Sequence, residues 1–389
     1  MKPRRNYWIW ILCLLAAIGA GFVCYLRQLD VGLGITGMSR DVSWGLYIAQ
    51  FTFLVGVAAS AVMVVLPYYL HHAKVFARVT ILGEFLAISA VTMCMLFIFV
   101  DMGQPTRVLN VMLHPTPHSM MFWDMISLSG YLLLNSVIAF VALRAEREES
   151  APPGWIKPVI LLSIPWAVSI HTVTAFLYCG LPGRSLWLTA ILAPRFLASA
   201  FASGPALLIL LAMLIARLTR TPSPREAIEK LSIIVTYATV ISVFFVLMEL
   251  FTSLYSRIPE HSESLRYMFT GLDGRTALVP WMWASMALAA ASLVLLLVPR
   301  WRTNERWLAV ACGMVFVSLW IDKGIGLIVA AFVPSPLGAV TEYAPTAPEM
   351  TIVLAIWAIG ALIFTVLCGV ALTVREGRLF AREPSLAVR

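Results

Sequence analysis

Charged residues are scarce in this chain. Asp, Glu, Lys and Arg together make up only 12% of its 389 residues, whereas 60% are hydrophobic. A soluble protein of this length could not cover its surface with so few charges, and the mean hydropathy of +0.88 agrees with that conclusion. We therefore exclude a soluble globular protein and predict an all-α integral membrane protein.

Clustered metal-binding residues are also lacking. The six cysteines are scattered without any CxxC spacing, which argues against an iron–sulfur cluster, a zinc site or a disulfide framework. Histidine is equally rare, and of the six only His171 lies well inside a long apolar run. The others are placed at the end of a run or in loops: His71, His72, His114, His118 and His261. Because a b-type haem needs two axial histidines at similar depth, haem is disfavoured, and we expect no metal site.

Long apolar runs fill almost the whole sequence. A membrane-spanning helix needs about 20 predominantly apolar residues. The runs that satisfy this are 7–26, 44–70, 79–100, 119–143, 156–178, 188–216, 229–256, 280–299, 307–333 and 349–374. The first is too long for a signal peptide and has no small-residue cleavage site, so we keep it as a spanning helix. We predict one polytopic membrane domain over 1–389, built from two four-helix bundles plus flanking spans.

Lys and Arg are concentrated in the connections on the same side as the two termini. The positive-inside rule therefore predicts that both termini are cytoplasmic, in a bacterial or archaeal cytoplasmic membrane. The net charge of +8 follows from this asymmetry and needs no nucleic-acid partner. The connections on the opposite side are richer in Gly, Pro and aromatic residues, as expected of segments that line a cavity or meet a partner. These are 27–43, 101–118, 179–187, 257–279 and 334–348.

A few ionisable residues nevertheless lie inside the apolar runs. A charge in hydrocarbon costs from about 3 to over 10 kcal/mol, so each is a functional candidate. They are Glu84, Asp101, Asp124, His171, Arg195, Glu249, Asp322 and Lys323. Five of them lie in the non-cytoplasmic halves of their runs, which predicts a polar pocket that opens outward. The ordinary alternatives are a helix-end acid for Asp101, an interface anchor for Arg195 and a neutralised structural pair for Asp322 and Lys323.

Three stretches resemble a known family. They are SRDVSWGLYIAQFTFLVGVAAS (39–60), FVDMGQPTRVLNVMLHPTPHSMMFWDM (99–125) and SIHTVTAFLYCGLPGRSLWLTAILAPRFLASAFASGPA (169–206). They are similar to the NrfD/PsrC family of quinone-interacting membrane subunits, most of all to its DsrP branch in the DsrMKJOP complex of dissimilatory sulfur metabolism. The resemblance implies a haem-free, ten-helix subunit that binds menaquinone or another quinone near the outer face. It also implies a periplasmic DsrO-like iron–sulfur partner and further DsrMKJ-like subunits.

The residues and the resemblance together predict a quinone pocket. Its proton-handling groups would be Asp101, Asp124, His171 and Glu249, because quinol oxidation releases two protons with two electrons. The residues expected to line it are His171, Asp101, Trp44, Tyr47, Arg107, Tyr178 and Arg195. The loop 102–118, with Pro105, Arg107 and His114, would form a wall of the pocket and face the partner.

Two other functions remain open from the sequence. A secondary transporter would use the same buried charges for its substrate and coupling ion, although the Gly and Pro interruptions are concentrated in loops rather than in paired broken helices. A purely structural anchor for a peripheral oxidoreductase would leave the intramembrane acids unexplained.

Overall fold

A computed structural model describes residues 5–70 and 74–381. No β-strand occurs in these ranges, and ten helices are long and apolar enough to cross a membrane. We number them α1 (Arg5–Val31), α2 (Leu46–Ala58 and Ser60–Leu70), α3 (Ala77–Asp101), α4 (Met120–Arg147), α5 (Ile156–Cys179), α6 (Leu192–Thr219), α7 (Arg225–Ser256), α8 (Val279–Leu297), α9 (Glu305–Ala330) and α10 (Ala347–Ala381). The expected all-α membrane fold with about ten spanning helices is confirmed. The end of the molecule that holds Asp101 is called the outer end below, following the predicted orientation.

The helices form two groups of four. Helices α2 to α5 pack against one another, and α6 to α9 do the same. The two bundles meet where α2 contacts α6 and α9, and where α5 contacts α6. Outside them, α1 packs on α10, and α10 packs on α3. This is the predicted arrangement of two four-helix bundles with flanking spans.

Helix α2 lies at the centre of the molecule. Its most apolar window is 94% buried, compared with 11% for α1 at the periphery. Apolarity does not explain this difference, because α1 is at least as apolar as α2 and lipid accepts apolar faces as readily as protein does. Small residues bring its backbone close to α6: a Cβ added at Gly204 would lie 3.0 Å from the Ser60 nitrogen and 3.2 Å from the Val57 carbonyl oxygen.

Two helices depart from regular α-helical geometry inside the protein. Helix α2 is interrupted at Ala59, whose N–H donates to the Gly56 carbonyl at 3.2 Å. Helix α9 contains a π-helical turn at Trp320–Gly326. Irregular backbone at membrane depth is tolerated where it is enclosed by protein, and π-turns often mark functional sites. No pattern in the apolar runs predicted either interruption.

The outer connections pack on one another as a cap, which we define as residues 32–45, 180–191, 257–278 and 331–346. The Ser185 hydroxyl donates to the Glu260 carbonyl at 2.6 Å, and the Thr341 hydroxyl donates to the Asp41 carboxylate at 3.0 Å. The remaining outer connection, 102–119, lies at the surface and exposes Leu113. The cap therefore closes the outer end of both bundles and leaves 102–119 accessible.

We predict that Gly204→Ala destabilises the protein. The added methyl group would meet backbone atoms of α2 that cannot move independently, and overpacking of this kind typically costs about 1–3 kcal/mol. Gly313→Ala in α9 is the matched control, because a Cβ there has nothing within 4 Å, and its effect should stay within about 1 kcal/mol. Unfolding in mixed micelles measures both. Equal stability of the two variants would contradict the close contact between α2 and α6.

Candidate functional site

Polar side chains form a buried stripe along one face of α5. His171, Thr174 and Tyr178 are spaced three and four residues apart, so they share a face, and each is 0% exposed. The Thr174 hydroxyl donates to the Asp124 carboxylate on α4 at 2.7 Å. The Tyr178 hydroxyl lies 2.6 Å from the Thr52 hydroxyl on α2. We call these five residues the polar stripe. It lies within the first bundle.

His171 is the most unusual member of the polar stripe. Neither Nδ1 nor Nε2 has a hydrogen-bond partner in the described part of the chain. Buried polar atoms are almost always paired, since an unpaired one costs about 1–3 kcal/mol. A neutral imidazole has one donor and one acceptor nitrogen, so His171 is suited to hydrogen-bond a ligand held between the helices.

The aromatic cluster at the outer end of the stripe consists of Trp44, Tyr178, Trp187 and Phe332. The ring centroids of Tyr178 and Trp187 are 5.0 Å apart, and those of Trp44 and Tyr178 are 5.9 Å apart. The Trp187 indole donates to the Leu327 carbonyl at 2.9 Å, which fixes the cap to α9. Of the predicted pocket residues, Trp44, Tyr178 and His171 are thus brought together with Asp124.

A basic side chain lies beside this cluster in the cap. The guanidinium of Arg184 is 4.0 Å from the Phe332 ring centroid, within reach of a cation–π interaction. Burial lowers the pKa of Arg184, and the Asp41 carboxylate acts in the opposite direction. Arg184 therefore adds positive charge to the cap above the stripe.

Asp101 and Tyr47 belong to a neighbouring group that faces α1. The Tyr47 hydroxyl donates to Gln28 Oε1 at 2.8 Å, and Gln28 Nε2 donates to the Val100 carbonyl at 2.6 Å. Asp101 is half-buried, and its Oδ1 is unpaired within residues 5–70 and 74–381. Asp101 directly follows Val100, so this group lies where α1, α2 and α3 meet.

Glu349 is a buried acid that the sequence analysis did not single out. It is 0% exposed in the first turn of α10 and accepts hydrogen bonds from Gly37 N at 2.9 Å, Leu46 N at 3.2 Å and the Tyr343 hydroxyl. It therefore ties the cap to the start of α2. Burial and the Glu349 carboxylate raise the pKa of Tyr343. The sequence signal available for Glu349 was its position as the first residue of an apolar run.

Arg195, Glu249 and Asp322 form an ion triad inside the second bundle. Arg195 Nη1 donates to Glu249, and Nη2 donates to both Asp322 oxygens at 2.8 and 2.9 Å. A cavity of about 10 Å³ lies beside the triad, enough for roughly one water molecule. Arg195 therefore stands apart from the polar stripe, and Glu249 pairs with Arg195 rather than lying near Asp124.

The predicted neutral pair of Asp322 and Lys323 is wrong. Consecutive helical residues point about 100° apart, so their side chains face different neighbours. Asp322 forms an ion pair with Arg195, whereas Lys323 Nζ lies 4.2 Å from the Phe196 ring centroid. A Cβ added at Gly56 would lie 3.2 Å from the same nitrogen. The π-turn thus sends Asp322 into the second bundle and Lys323 toward α2.

Lys323 is nearly fully buried between the bundles. Its Nζ has no hydrogen-bond partner among the described residues, and it lies beside Gly56, one helical turn from Thr52 of the polar stripe on α2. The contact with Phe196 has the geometry of a cation–π interaction. Lys323 is therefore placed to stabilise negative charge close to the polar stripe.

The remaining candidates lie elsewhere. Arg107, His114 and His118 are exposed in the connection 102–119, away from the buried stripe. Glu84 is buried in α3, and both its oxygens lack partners in the described part of the chain. His71 and His72 lie outside the described residues. Within those residues, no group of three or more His, Cys, Asp or Glu side chains could hold a metal ion.

We predict that Arg195→Gln strongly destabilises the protein. It would leave two buried carboxylates without their cation, and breaking a buried ion pair costs about 3–5 kcal/mol. Arg225→Gln is the control, because Arg225 pairs with Glu305 at 3.4 Å with its side chain 78% exposed; its cost should be below about 1 kcal/mol. Unfolding in mixed micelles compares them. A small loss of stability in Arg195→Gln would mean that Arg195 does not pair with both carboxylates.

Known proteins similar to this chain include membrane subunits of oxidoreductases. A family model described as "Polysulphide reductase, NrfD" matches residues 34–334. A putative dimethyl sulfoxide reductase membrane subunit of Halobacterium salinarum is 25% identical over 92% of this chain and 88% of that protein. The "Hdr-like menaquinol oxidoreductase integral membrane subunit" of Archaeoglobus fulgidus is 24% identical over 98% and 95%. The "Menaquinone reductase, integral membrane subunit" of Nitratidesulfovibrio vulgaris is 21% identical over 92% and 90%.

Proposed function

We propose, since this chain belongs to the NrfD family of integral membrane subunits, that it is the quinone-binding membrane subunit of a respiratory electron-transfer complex. It is a multi-pass protein of the cytoplasmic membrane. The names of two relatives include menaquinol or menaquinone, which supports menaquinone as its quinone. Assignment to the DsrP branch, and hence to dissimilatory sulfur metabolism, is part of the same proposal.

The observation that carries this proposal is the imidazole of His171, which has no partner among the described residues, beside the Thr174–Asp124 hydrogen bond. A quinone presents two carbonyl oxygens to donors, and a quinol presents two hydroxyl groups to acceptors. An imidazole with one nitrogen of each kind fits either form. The aromatic cluster supplies the apolar surroundings that ligand pockets usually have. The chemistry of these residues therefore supports a quinone site in the outer half of the first bundle.

Bound quinol supplies two electrons and two protons when it is oxidised. His171 would hydrogen-bond one ring oxygen and hold or release a proton at a ring nitrogen. Thr174 fixes the orientation of Asp124, which would receive the other proton. Lys323 would stabilise negative charge in the pocket, because its ammonium group lies in the same low-dielectric interior.

Glu249 and the ion triad belong to a proposed proton path through the second bundle. Buried carboxylates are rare in hydrocarbon and often belong to proton relays. Glu249 would exchange protons while Arg195 and Asp322 hold it in place. Proton translocation coupled to electron transfer is therefore part of the proposal, and Glu249→Gln is the variant that separates it from electron transfer.

The connection 102–119 is the proposed docking surface for a DsrO-like iron–sulfur subunit, with DsrMKJ-like subunits completing the complex. Leu109, Met112 and Leu113 are 56%, 59% and 68% exposed there, beside Arg107. Exposed apolar groups rimmed by polar ones mark interaction sites. The loop follows directly on Asp101, so a partner bound there would lie near the outer end of the pocket.

We predict that His171→Ala lowers quinol-linked electron transfer by at least about tenfold, because a hydrogen-bonding and proton-handling group is lost. Asp124→Asn should also slow the reaction. Thr172→Ala is the control, since Thr172 points about 100° away from His171 on α5 and is only half-buried. The assay uses the purified complex in liposomes, with turnover and lumenal pH recorded together.

Turnover and lumenal pH together distinguish a quinone site, a separate proton path and a secondary transporter. Glu249→Gln should keep turnover and lose the pH change, as a proton path separate from the quinone site requires. Unchanged turnover in His171→Ala would remove this site assignment. A purified protein without bound quinone that moves a solute across the liposome membrane would favour a secondary transporter instead.

We predict that Leu113→Asp weakens co-purification of the iron–sulfur subunit, because a charge would replace an apolar contact at the centre of the surface. Leu337→Asp is the control: Leu337 is 83% exposed on the cap rather than on 102–119. Pull-down through a tag on this chain measures both. Equal loss of co-purification in the two variants would mean that the partner also covers the cap. No loss in either variant would reject 102–119 as the docking surface.

A further inference from the structure

A large groove lies at the inner end of α4, on the side of the molecule opposite the quinone site. Its volume is about 620 Å³, and its floor is α4 while its roof is the connection 148–155. The residues that line it are Ser136, Val137, Phe140, Val141, Arg144, Ala145, Glu148, Ser150, Ala151, Pro153 and Trp155. Neither the polar stripe nor the ion triad contributes to it.

The groove changes from apolar to charged along its length. Ser136, Phe140 and Arg144 are spaced four residues apart, so they follow one face of α4 for roughly 12 Å, and Glu148 continues this spacing just past the end of the helix. Its membrane-facing part is apolar, with Phe140 66% exposed. The charged side chains come at the helix end, where the membrane surface is reached. This order matches an acyl chain followed by a polar headgroup.

A tight turn forms the roof. Glu149 has a φ of 50°, in the left-handed region, and the Ser150 N–H donates to the Ala145 carbonyl at 3.1 Å. The chain therefore folds back over the end of α4 before α5 begins. Trp155 then lies at the rim, 56% exposed, as tryptophan commonly does at headgroup depth.

The charged end of the groove carries one group of each sign. Arg144 Nε and Glu148 Oε1 are 2.8 Å apart, and their side chains are 66% and 51% exposed. Exposed pairs contribute little to stability, and an arginine that precedes its glutamate by four residues is the less favourable order on a helix. Each group can therefore leave the other for a ligand that offers the complementary charge.

We propose that this groove binds a phospholipid with an ethanolamine headgroup. The phosphate would pair with Arg144, the ammonium group with Glu148, and one acyl chain would lie along Phe140 and Val137. Charge complementarity selects this lipid, because a phosphatidylglycerol headgroup has the phosphate but no cation for Glu148. The site is independent of the proposed quinone function.

The test is lipid retention by the full-length protein, purified within its complex and analysed by native mass spectrometry. Phosphatidylethanolamine and phosphatidylglycerol with identical acyl chains are added at equal concentration. We expect the native protein to retain the ethanolamine lipid about tenfold better. Glu148→Gln should remove that preference and raise phosphatidylglycerol retention, because Arg144 would then be unopposed. The double variant R144Q/E148Q should retain neither.

A second ion pair provides the matched control. Lys230 and Glu226 on α7 form an exposed pair of the same spacing at 3.0 Å, and neither lines the groove. The variant K230Q/E226Q should retain lipid as the native protein does. The proposal is overturned if the native protein holds both lipids equally, or if R144Q/E148Q and K230Q/E226Q behave alike. Thermal unfolding of each variant verifies that its fold is intact.

Discussion

A charge buried in hydrocarbon must be balanced by other groups of the protein, because no water is there to solvate it. Arg195 meets this constraint by bridging Glu249 on α7 and Asp322 on α9, so that three helices of the second bundle are held at one point. The first bundle has no comparable triad within the described residues. Its ionisable groups are held by single hydrogen bonds or by none, as at Asp124 and His171.

The two bundles therefore differ in how their buried polar groups are held. Satisfied ion networks are rigid and specify one packing, whereas unpaired buried groups are costly unless a ligand pairs with them. The π-turn of α9 connects the two, since it gives Asp322 to the triad and directs Lys323 toward α2 and the polar stripe. Two consecutive charged residues thereby serve two different bundles.

The sequence predicted the ionisable residues but not their partners. Hydropathy identifies which acids and bases lie in the membrane, and helical spacing places His171, Thr174 and Tyr178 on one face. Pairing depends on helix rotation and on which helices are neighbours, and neither is encoded in any single segment. That is why Asp322 was assigned to Lys323, why Arg195 was placed in the pocket, and why Glu349 was overlooked at the start of its run.

By itself the sequence determined the membrane class, the number of spanning helices and the family, because these follow from composition, run length and local motifs. Tertiary structure alone decided that α2 is the buried centre, that the cap closes the outer end, and that Lys323 and His171 lie in one interior. The physical reason is that backbone hydrogen bonds of a spanning helix are satisfied locally, whereas buried side chains find partners only across helix contacts. Local sequence patterns therefore indicate the spanning helices but not the partners of their buried side chains.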